Sequence, residues 1–284
     1  MRRLVVINVR DLTKKYGNSI ALNGISFNVY QGEIFGLLGP SGAGKTTLLK
    51  ILTGQLTKTS GVARIFDVDC EAMHESQYSK IGIMLDDCAL YSRLTCYQNL
   101  KIFSKIHKIP RSQIETILSR VGLIEAKNRK AGDLSRGMLQ RLCFANAILH
   151  SPELVLLDEP TSALDPSTAQ SIRALVLELK RNGSTVVLTT HNMSEAMQLC
   201  DKVALLNNGK IIEHGNPQEI CSRYDEREVT LILSDGRKVS LSLEDDCDLI
   251  CRYIKAGEVR AIHSNERNLE DVFIRLTGRG LQIS

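Results

Sequence analysis

Residues Gly39 to Thr47 read GPSGAGKTT and satisfy the pattern G-x-x-x-x-G-K-[ST], with Gly39, Gly44, Lys45 and Thr46 in its defining places. In front of them, Glu33 to Leu38 (EIFGLL) predicts a short buried strand; behind them, Lys45 to Thr53 (KTTLLKILT) predicts a helix halted by Gly54. Strand, glycine loop and helix together are the context that makes such a loop a phosphate site. Glycines let the backbone close around an anion with successive N–H groups pointing inward, and the helix N-terminus adds its positive end. The predicted ligand is a nucleotide. Lys45 reaches the β- and γ-phosphates, the Thr46 hydroxyl ligates Mg²⁺, and Pro40, Ser41, Gly42, Ala43 and Thr47 complete the cradle.

Working upstream, Leu4 to Val9 and Ile25 to Tyr30 carry strand patterning, with Ile25, Phe27 and Val29 alternating with polar residues. The KKYGNSIAL between them is expected to be a loop, on which Tyr16 either stacks on an adenine ring or serves as a turn residue. Downstream, Val62 to Phe66 and Ile81 to Leu85 predict strands, with Glu71 to Ser79 weakly helical between them. From Leu94 to Leu149 no strand pattern appears. Tyr97 to His107, Arg111 to Val121 and Met138 to Leu149 have helical spacing, which predicts a helical insertion over about 90 to 150.

Leu154 to Leu157 is apolar at every position, as a central parallel strand covered on both faces requires, and it ends in Asp158-Glu159-Pro160. A helix from Pro166 to Asn182, with Asp165 as its N-cap, and a strand from Thr185 to Thr190 leading into His191 follow. Asn207-Asn208-Gly209 is a hairpin turn between Val203 to Leu206 and Ile211 to His214. This alternation predicts an α/β domain with a mostly parallel sheet over residues 1–221. The charged stretch 222–228 is expected to be a linker. Beyond it, two strands paired across Ser234 to Arg237, a helix from Leu243 to Ile254, the strand Val259 to His263 and the helix Asn268 to Leu276 predict a small α+β domain over 229–284.

Composition bounds the partners. The 36 Lys and Arg residues face 32 Asp and Glu, a net charge of +4, with no long basic block, so no nucleic acid is expected. Eight cysteines without a C-x-x-C pair are expected to be free thiols in a reducing cytoplasm, and Cys247 with Cys251 makes half a zinc site at most. The apolar run after Met1 is too short for a signal peptide, and no segment approaches the roughly 20 apolar residues that span a bilayer. Any work at a membrane is therefore expected to go through a partner, from its cytoplasmic face.

Two further stretches carry chemistry. Asp158, at the end of the apolar strand, is placed to hold Mg²⁺, and Glu159 to orient or deprotonate an attacking water; the alternative is that both cap the segment that follows. Leu134-Ser135-Arg136-Gly137-Met138, immediately before a helix, is either a second anion-binding geometry or simply an N-cap.

With these motifs in this order, the chain resembles the ATP-binding cassette family, the nucleotide-binding subunits of transporters, from Asn8 to about Asn216. The resemblance implies a P-loop NTPase fold with an antiparallel N-terminal β subdomain. It assigns Tyr16 to the adenine, Leu134 to Met138 to the signature written LSGGQ in the family, and Glu159 to catalysis. Ser162 to Asp165 matches the SALD loop at the dimer boundary, and His191 the histidine that contacts the γ-phosphate. It also implies a head-to-tail homodimer in which Ser135 and Gly137 of one chain close over ATP on the Lys45 loop of the other. A separately encoded membrane permease is expected to dock near Ser92 to Lys108.

Two positions depart from the family. Asp86 stands where a glutamine usually contacts Mg²⁺, adding a carboxylate to the metal site, and Arg136 stands where the signature has glycine. The closing Asn268 to Phe273, through Gly278, is similar to the end of cassette subunits from bacterial drug, antibiotic and polysaccharide exporters, where the added domain regulates or dimerises. The expected function is the ATPase subunit of a bacterial exporter moving a drug or antimicrobial peptide. The alternatives are a soluble cassette acting on ribosomes or DNA, which usually carries two cassettes or a coiled coil, and an ATP sensor without turnover.

Overall fold

Alternating apolar residues bury one face of a long N-terminal hairpin, β1 (Val5–Tyr16) and β2 (Ser19–Tyr30), with Ile7, Leu12, Leu22 and Val29 fully buried. The computed structural model describes residues 4–85, 90–224, 228–264 and 268–278. The expected KKYGNSIAL loop is almost entirely strand: only Gly17 and Asn18 turn, because Lys14 pairs with Leu22 and Tyr16 with Ser19 across the ladder. The chain then crosses to a second sheet through β3 (Ile34–Leu38), and α1 (Lys45–Leu52) follows the glycine loop. Returning strands β4 (Ser60–Ile65) and β5 (Val68–Asp69) complete an antiparallel four-stranded sheet in the order β2-β1-β4-β5.

After a short α2 (Glu75–Tyr78) and β6 (Ile81–Met84), three helices form the expected insertion: α3 (Cys96–Ile106), α4 (Arg111–Arg120) and α5 (Arg136–Ile148). The β pattern resumes with β7 (Leu154–Asp158), α6 (Pro166–Arg181), β8 (Thr185–Thr190), α7 (Met193–Leu199), β9 (Lys202–Asn207) and β10 (Lys210–Gly215). The second sheet runs β10-β9-β3-β8-β7-β6 and is parallel from β9 to β6. Every residue of β3, β7 and β8 is buried, as strands covered on both faces must be. Their carboxyl ends converge on the glycine loop. Helix α7 is absent from the sequence expectation because its seven residues offer too little periodicity.

The chain divides into two compact units, Met1–His214 and Gly215–Ser284. In the second, α8 (Pro217–Arg223) packs against α10 (Leu269–Thr277), and an antiparallel sheet orders β12 (Lys238–Ser242), β11 (Glu228–Leu233) and β13 (Val259–Ser264). Ser222 and Arg223 of the expected linker are therefore helical, and Glu228 belongs to a strand. One face of the sheet buries Val229, Leu231, Leu233 and Leu241 with Ile250 of α9 (Cys247–Lys255). Helix α9 starts four residues later than expected, because the acidic residues before it form a turn. The Ser242 amide donates to Asp246 at 2.9 Å, and the Ser242 hydroxyl accepts from the Asp245 amide at 3.1 Å.

Cys143 is disulfide-bonded, which corrects the expectation of free thiols throughout. Cys70 is a buried thiol whose pKa burial pushes up to about 12. Among the described residues no helix is long and apolar enough to cross a membrane.

Candidate nucleotide-binding site

The loop from Gly39 to Gly44 holds a shape that only glycine permits at its ends. Gly39 has φ 154°, and a Cβ there would lie 2.2 Å from the Leu206 carbonyl oxygen. Gly44 has φ 109°, with the Ala21 carbonyl 2.7 Å from where its Cβ would be. The loop is backed by the turn after β9, whose Gly209 amide donates to the Ala43 carbonyl at 3.1 Å. Helix α1 then starts on Gly44 with no side-chain cap, so no side chain covers the amides at its positive end.

Lys45 is buried, and its Nζ donates to the carbonyls of Gly39 at 2.6 Å and Pro40 at 3.2 Å. Its ammonium also lies 3.7 Å from Glu159 Oε1. Burial lowers its pKa, and the carboxylates of Glu159 and then Asp158 oppose that shift. Next to it, the Thr46 hydroxyl donates to Asp158 Oδ2 at 2.9 Å, and the Thr189 hydroxyl donates to Asp158 Oδ1. A hydroxyl and a buried carboxylate side by side are the hard oxygen donors that Mg²⁺ takes when phosphate oxygens and waters supply the rest. The residues present fit that ion. Among the described residues no cluster of three or more His, Cys, Asp or Glu offers an all-protein metal cage.

Glu159 follows directly and sits at φ 46°, a strained backbone for a residue with a Cβ. The strain is held from several sides. Its amide donates to the Thr189 hydroxyl at 3.0 Å, its carbonyl accepts from Gln140 Nε2 at 2.6 Å, and Gln140 Oε1 accepts from the Ala163 amide at 3.2 Å. Its carboxylate Oε2 lies 2.9 Å from His191 Nδ1. The structure thus brings together Lys45, Thr46, Asp158, Glu159 and His191. Sequence reasoning missed Thr189, Gln140 and Glu195. Thr189 reads as an ordinary β-branched strand residue, Gln140 as one polar position on a helix, and Glu195 lies in the unforeseen α7. The available signal was the pair Thr189 and Thr190 closing a strand whose middle is apolar.

The other expected residues lie apart from this cluster. Ser135 caps α5, its hydroxyl accepting from the Met138 amide at 3.3 Å, so Arg136, Gly137 and Met138 form the first helical turn and Leu134 precedes the cap. Gly137 lies against the loop after Glu159, where a Cβ would meet the Ala163 carbonyl at 3.1 Å. Asp165 caps α6, and its hydrogen bonds from Thr168 and Ser167 hold its carboxyl well below the usual range. Tyr16 ends β1 half-exposed, with Lys14 Nζ 4.9 Å above its ring. Among the described residues no hydrogen bond or ion pair joins Tyr16, Ser135 or Gly137 to the Lys45 cluster. Asp86 lies outside the described residues.

Known proteins resemble this chain in sequence and fold. The family model described as ABC transporter matches residues 22–162. A fluoroquinolones export ATP-binding protein of Mycobacterium tuberculosis (strain CDC 1551 / Oshkosh) is 38% identical, covering 97% of this chain and 94% of that relative. The bacitracin transport ATP-binding protein BcrA of Enterococcus faecalis is 34% identical, covering 97% of each chain. Among solved structures, an ATP-binding subunit of an ABC transporter superimposes with TM-score 0.71 at 26% identity, over 77% of this chain and 93% of that one. A dimeric ATP-binding cassette in a post-hydrolysis state, bound to ADP and Pi, superimposes with TM-score 0.68 at 27% identity, over 74% and 98%. The chain belongs to the ABC transporter family, as an ATP-binding subunit related to drug and antibiotic export ATP-binding proteins.

Proposed function

We propose that this chain hydrolyses ATP to drive an exporter, moving a drug or antimicrobial peptide through a separately encoded membrane permease. The observation that carries the hydrolytic half is the Glu159–His191 contact at 2.9 Å, set beside Lys45 and the Thr46–Asp158 pair. Phosphoryl transfer asks a protein mainly for positioning and charge compensation. Lys45 exchanges the Gly39 and Pro40 carbonyls for phosphate oxygens, the amides at the start of α1 take further oxygens, and Tyr16 stacks on the adenine. Thr46 and Asp158 hold Mg²⁺, which when bound supplies positive charge to the phosphates. Glu159 orients the attacking water and accepts its proton, while His191 fixes the Glu159 carboxylate and reaches the γ-phosphate.

The signature residues Leu134 to Met138 act in trans. In the proposed head-to-tail homodimer, Ser135 and Gly137 of one chain close over ATP on the other, with Asp165 at the boundary. One chain alone is then a poor ATPase. The export half of the proposal is supported by relatives whose names concern fluoroquinolones export and bacitracin transport. We assign residues 229–284 to regulation or dimerisation, and the protein to the cytoplasmic face of the membrane.

The test is Glu159→Gln in Mg-ATP. The expected result is a stable dimer by light scattering, with turnover reduced by about 10²-fold or more. Cysteines introduced at Ser41→Cys and Ser135→Cys should crosslink only between chains and only with ATP, beyond what the native cysteines give. A sample that stays monomeric at high concentration, or crosslinks in another orientation, overturns the proposal.

A further inference from the structure

We propose that Glu195 is a positioning residue whose buried carboxylate ties the loop after Glu159 to the strand end that carries His191, and so sets how those two side chains meet. This inference rests on the hydrolytic role proposed for Glu159 and His191. Glu195 is only 2% exposed. Its Oε1 accepts from the Thr161 hydroxyl at 2.7 Å and its Oε2 from the Thr190 hydroxyl at 3.0 Å.

Together these contacts close a ring. Chain runs from Glu159 through Pro160 to Thr161, Thr161 bonds Glu195, Glu195 bonds Thr190, and His191 follows Thr190 and returns to Glu159 Oε2 at 2.9 Å. The Pro160 ring fixes φ inside the first arm, which limits how far Thr161 can drift from Glu159. Asn192, the N-cap of α7, fixes both ends of this bridge: its Oδ1 accepts from the Glu195 backbone amide at 3.0 Å, and its own backbone amide donates to the Thr190 hydroxyl at 3.0 Å.

A buried carboxylate is an expensive way to join two threonines. Among the described residues no Lys, Arg or His forms an ion pair with Glu195, so two hydroxyls are what compensate its loss of water. An apolar side chain would fill this space at less risk to stability. What the carboxylate provides is a two-pronged acceptor of fixed span, bridging the two segments that carry Glu159 and His191. Misplacing a catalytic group by about 1 Å lowers rate on the order of 10²-fold, which is the scale on which such a brace acts.

The test is steady-state ATPase of the full chain carrying Glu195→Ala, Glu195→Gln, His191→Ala, and Glu195→Ala with His191→Ala. Glu195→Ala is expected to lower kcat roughly 10- to 100-fold while the KM for ATP moves less than about threefold. Glu195→Gln keeps one acceptor and offers its amide to the other hydroxyl, so kcat stays within about threefold of wild type. In the His191→Ala background, Glu195→Ala lowers kcat by less than about a further twofold, because the contact it organises is already gone. Losses that multiply, a loss confined to KM, or no rescue by glutamine overturn the inference. Should Glu195→Ala fail to fold, Thr190→Val and Thr161→Val remove one prong each at equal size and are held to the same cycle. If Glu159→Gln retains turnover, the hydrolytic reading itself falls; if that variant is dead while the Glu195 and His191 losses multiply, only this inference does.

Discussion

Helices α1 and α5 both begin with no acidic residue in the first turn, as α3, α4 and α6 also do, but they begin differently from each other. Helix α1 starts on Gly44 with no side chain over its first amides, in a loop whose close backbone packing Gly39 and Gly44 permit by lacking a Cβ. Helix α5 starts on Ser135, whose own hydroxyl takes the Met138 amide at a long 3.3 Å. The first is a finished cradle. The second is a weak cap on an exposed surface, able to trade its internal bond for a better acceptor brought from outside. The difference between these two starts is what the proposed head-to-tail pairing draws on, with α1 holding nucleotide and α5 of a second copy closing over it.

The hardest way to break this contrast is Lys45→Ala. Lys45 is buried among carbonyl oxygens and beside Glu159, and removing such a charge from a phosphate site costs about 2–5 kcal/mol, or roughly 30-fold to several thousand-fold in nucleotide affinity. Titration with a fluorescent ATP analogue measures it, and affinity within threefold of wild type would mean that the cradle is not the phosphate site. Ser135→Ala probes the other helix. A hydrogen bond to a charged acceptor contributes about 1.5–3 kcal/mol, so ATP-driven pairing should weaken by about tenfold or more per site, while ATP binding by the single chain stays within threefold. Losing the 3.3 Å cap should itself lower stability by only about 0.5–1 kcal/mol. Sedimentation of the Glu159→Gln background with and without Ser135→Ala separates the two effects; unchanged pairing would reduce Ser135 to a cap.

Much of the cradle was legible because its constraints are local. Gly39, Gly44, Lys45 and Thr46 are fixed by an eight-residue pattern, and β7 by an unbroken apolar run closing on Asp158. The braces were not legible. Thr189 donates to Asp158 from 31 positions away, and Gln140 reaches the Glu159 carbonyl from 19, so neither leaves a periodic trace. Glu195 was hidden twice, by a helix too short to announce itself and by a carboxylate that sequence alone places at the surface. The longer N-terminal hairpin was missed for a related reason. Lys14 and Tyr16 look like loop residues, yet strand pairing buries Lys14 while its Nζ donates to the Thr57 carbonyl at 2.7 Å.

The far end of α5 sharpens the contrast in another way. His150 stacks on His107, which ends α3, with ring centroids 4.1 Å apart, and its Nε2 has no hydrogen-bond partner among the described residues. Burial, and then the neighbouring His107, pull its pKa down from 6.5 to about 4. Between those values the unfolded chain binds the proton and the folded one does not. Stability therefore falls as pH drops from 6.5 and the loss is complete near 4, amounting to about 2 kcal/mol after allowing for partial exposure. Urea midpoints near pH 7.5 and near pH 4.5 should differ by that much more in wild type than in His150→Leu; equal differences would show that the stack is not what anchors α5.

Arg136 tests the smallest term. It occupies the first turn of α5, exposed, where a positive charge opposes the helix dipole by about 0.3–1 kcal/mol at low salt. Two roles are compatible with that position. A guanidinium reaching phosphate across the dimer would offset the penalty only when ATP is bound, whereas one pointing to solvent would leave it uncompensated. The side chain is exposed and the neighbouring Gly137 is already against the Ala163 carbonyl, so the first turn is spoken for on its inner side and Arg136 faces outward. Arg136→Ala is accordingly expected to raise stability by about 0.3–0.5 kcal/mol, an effect that salt screens away, and to change ATP-driven pairing by less than threefold. A tenfold loss of pairing would instead make the guanidinium a phosphate ligand, and α5 would then present a charged arm to the partner's nucleotide where α1 presents only backbone to its own.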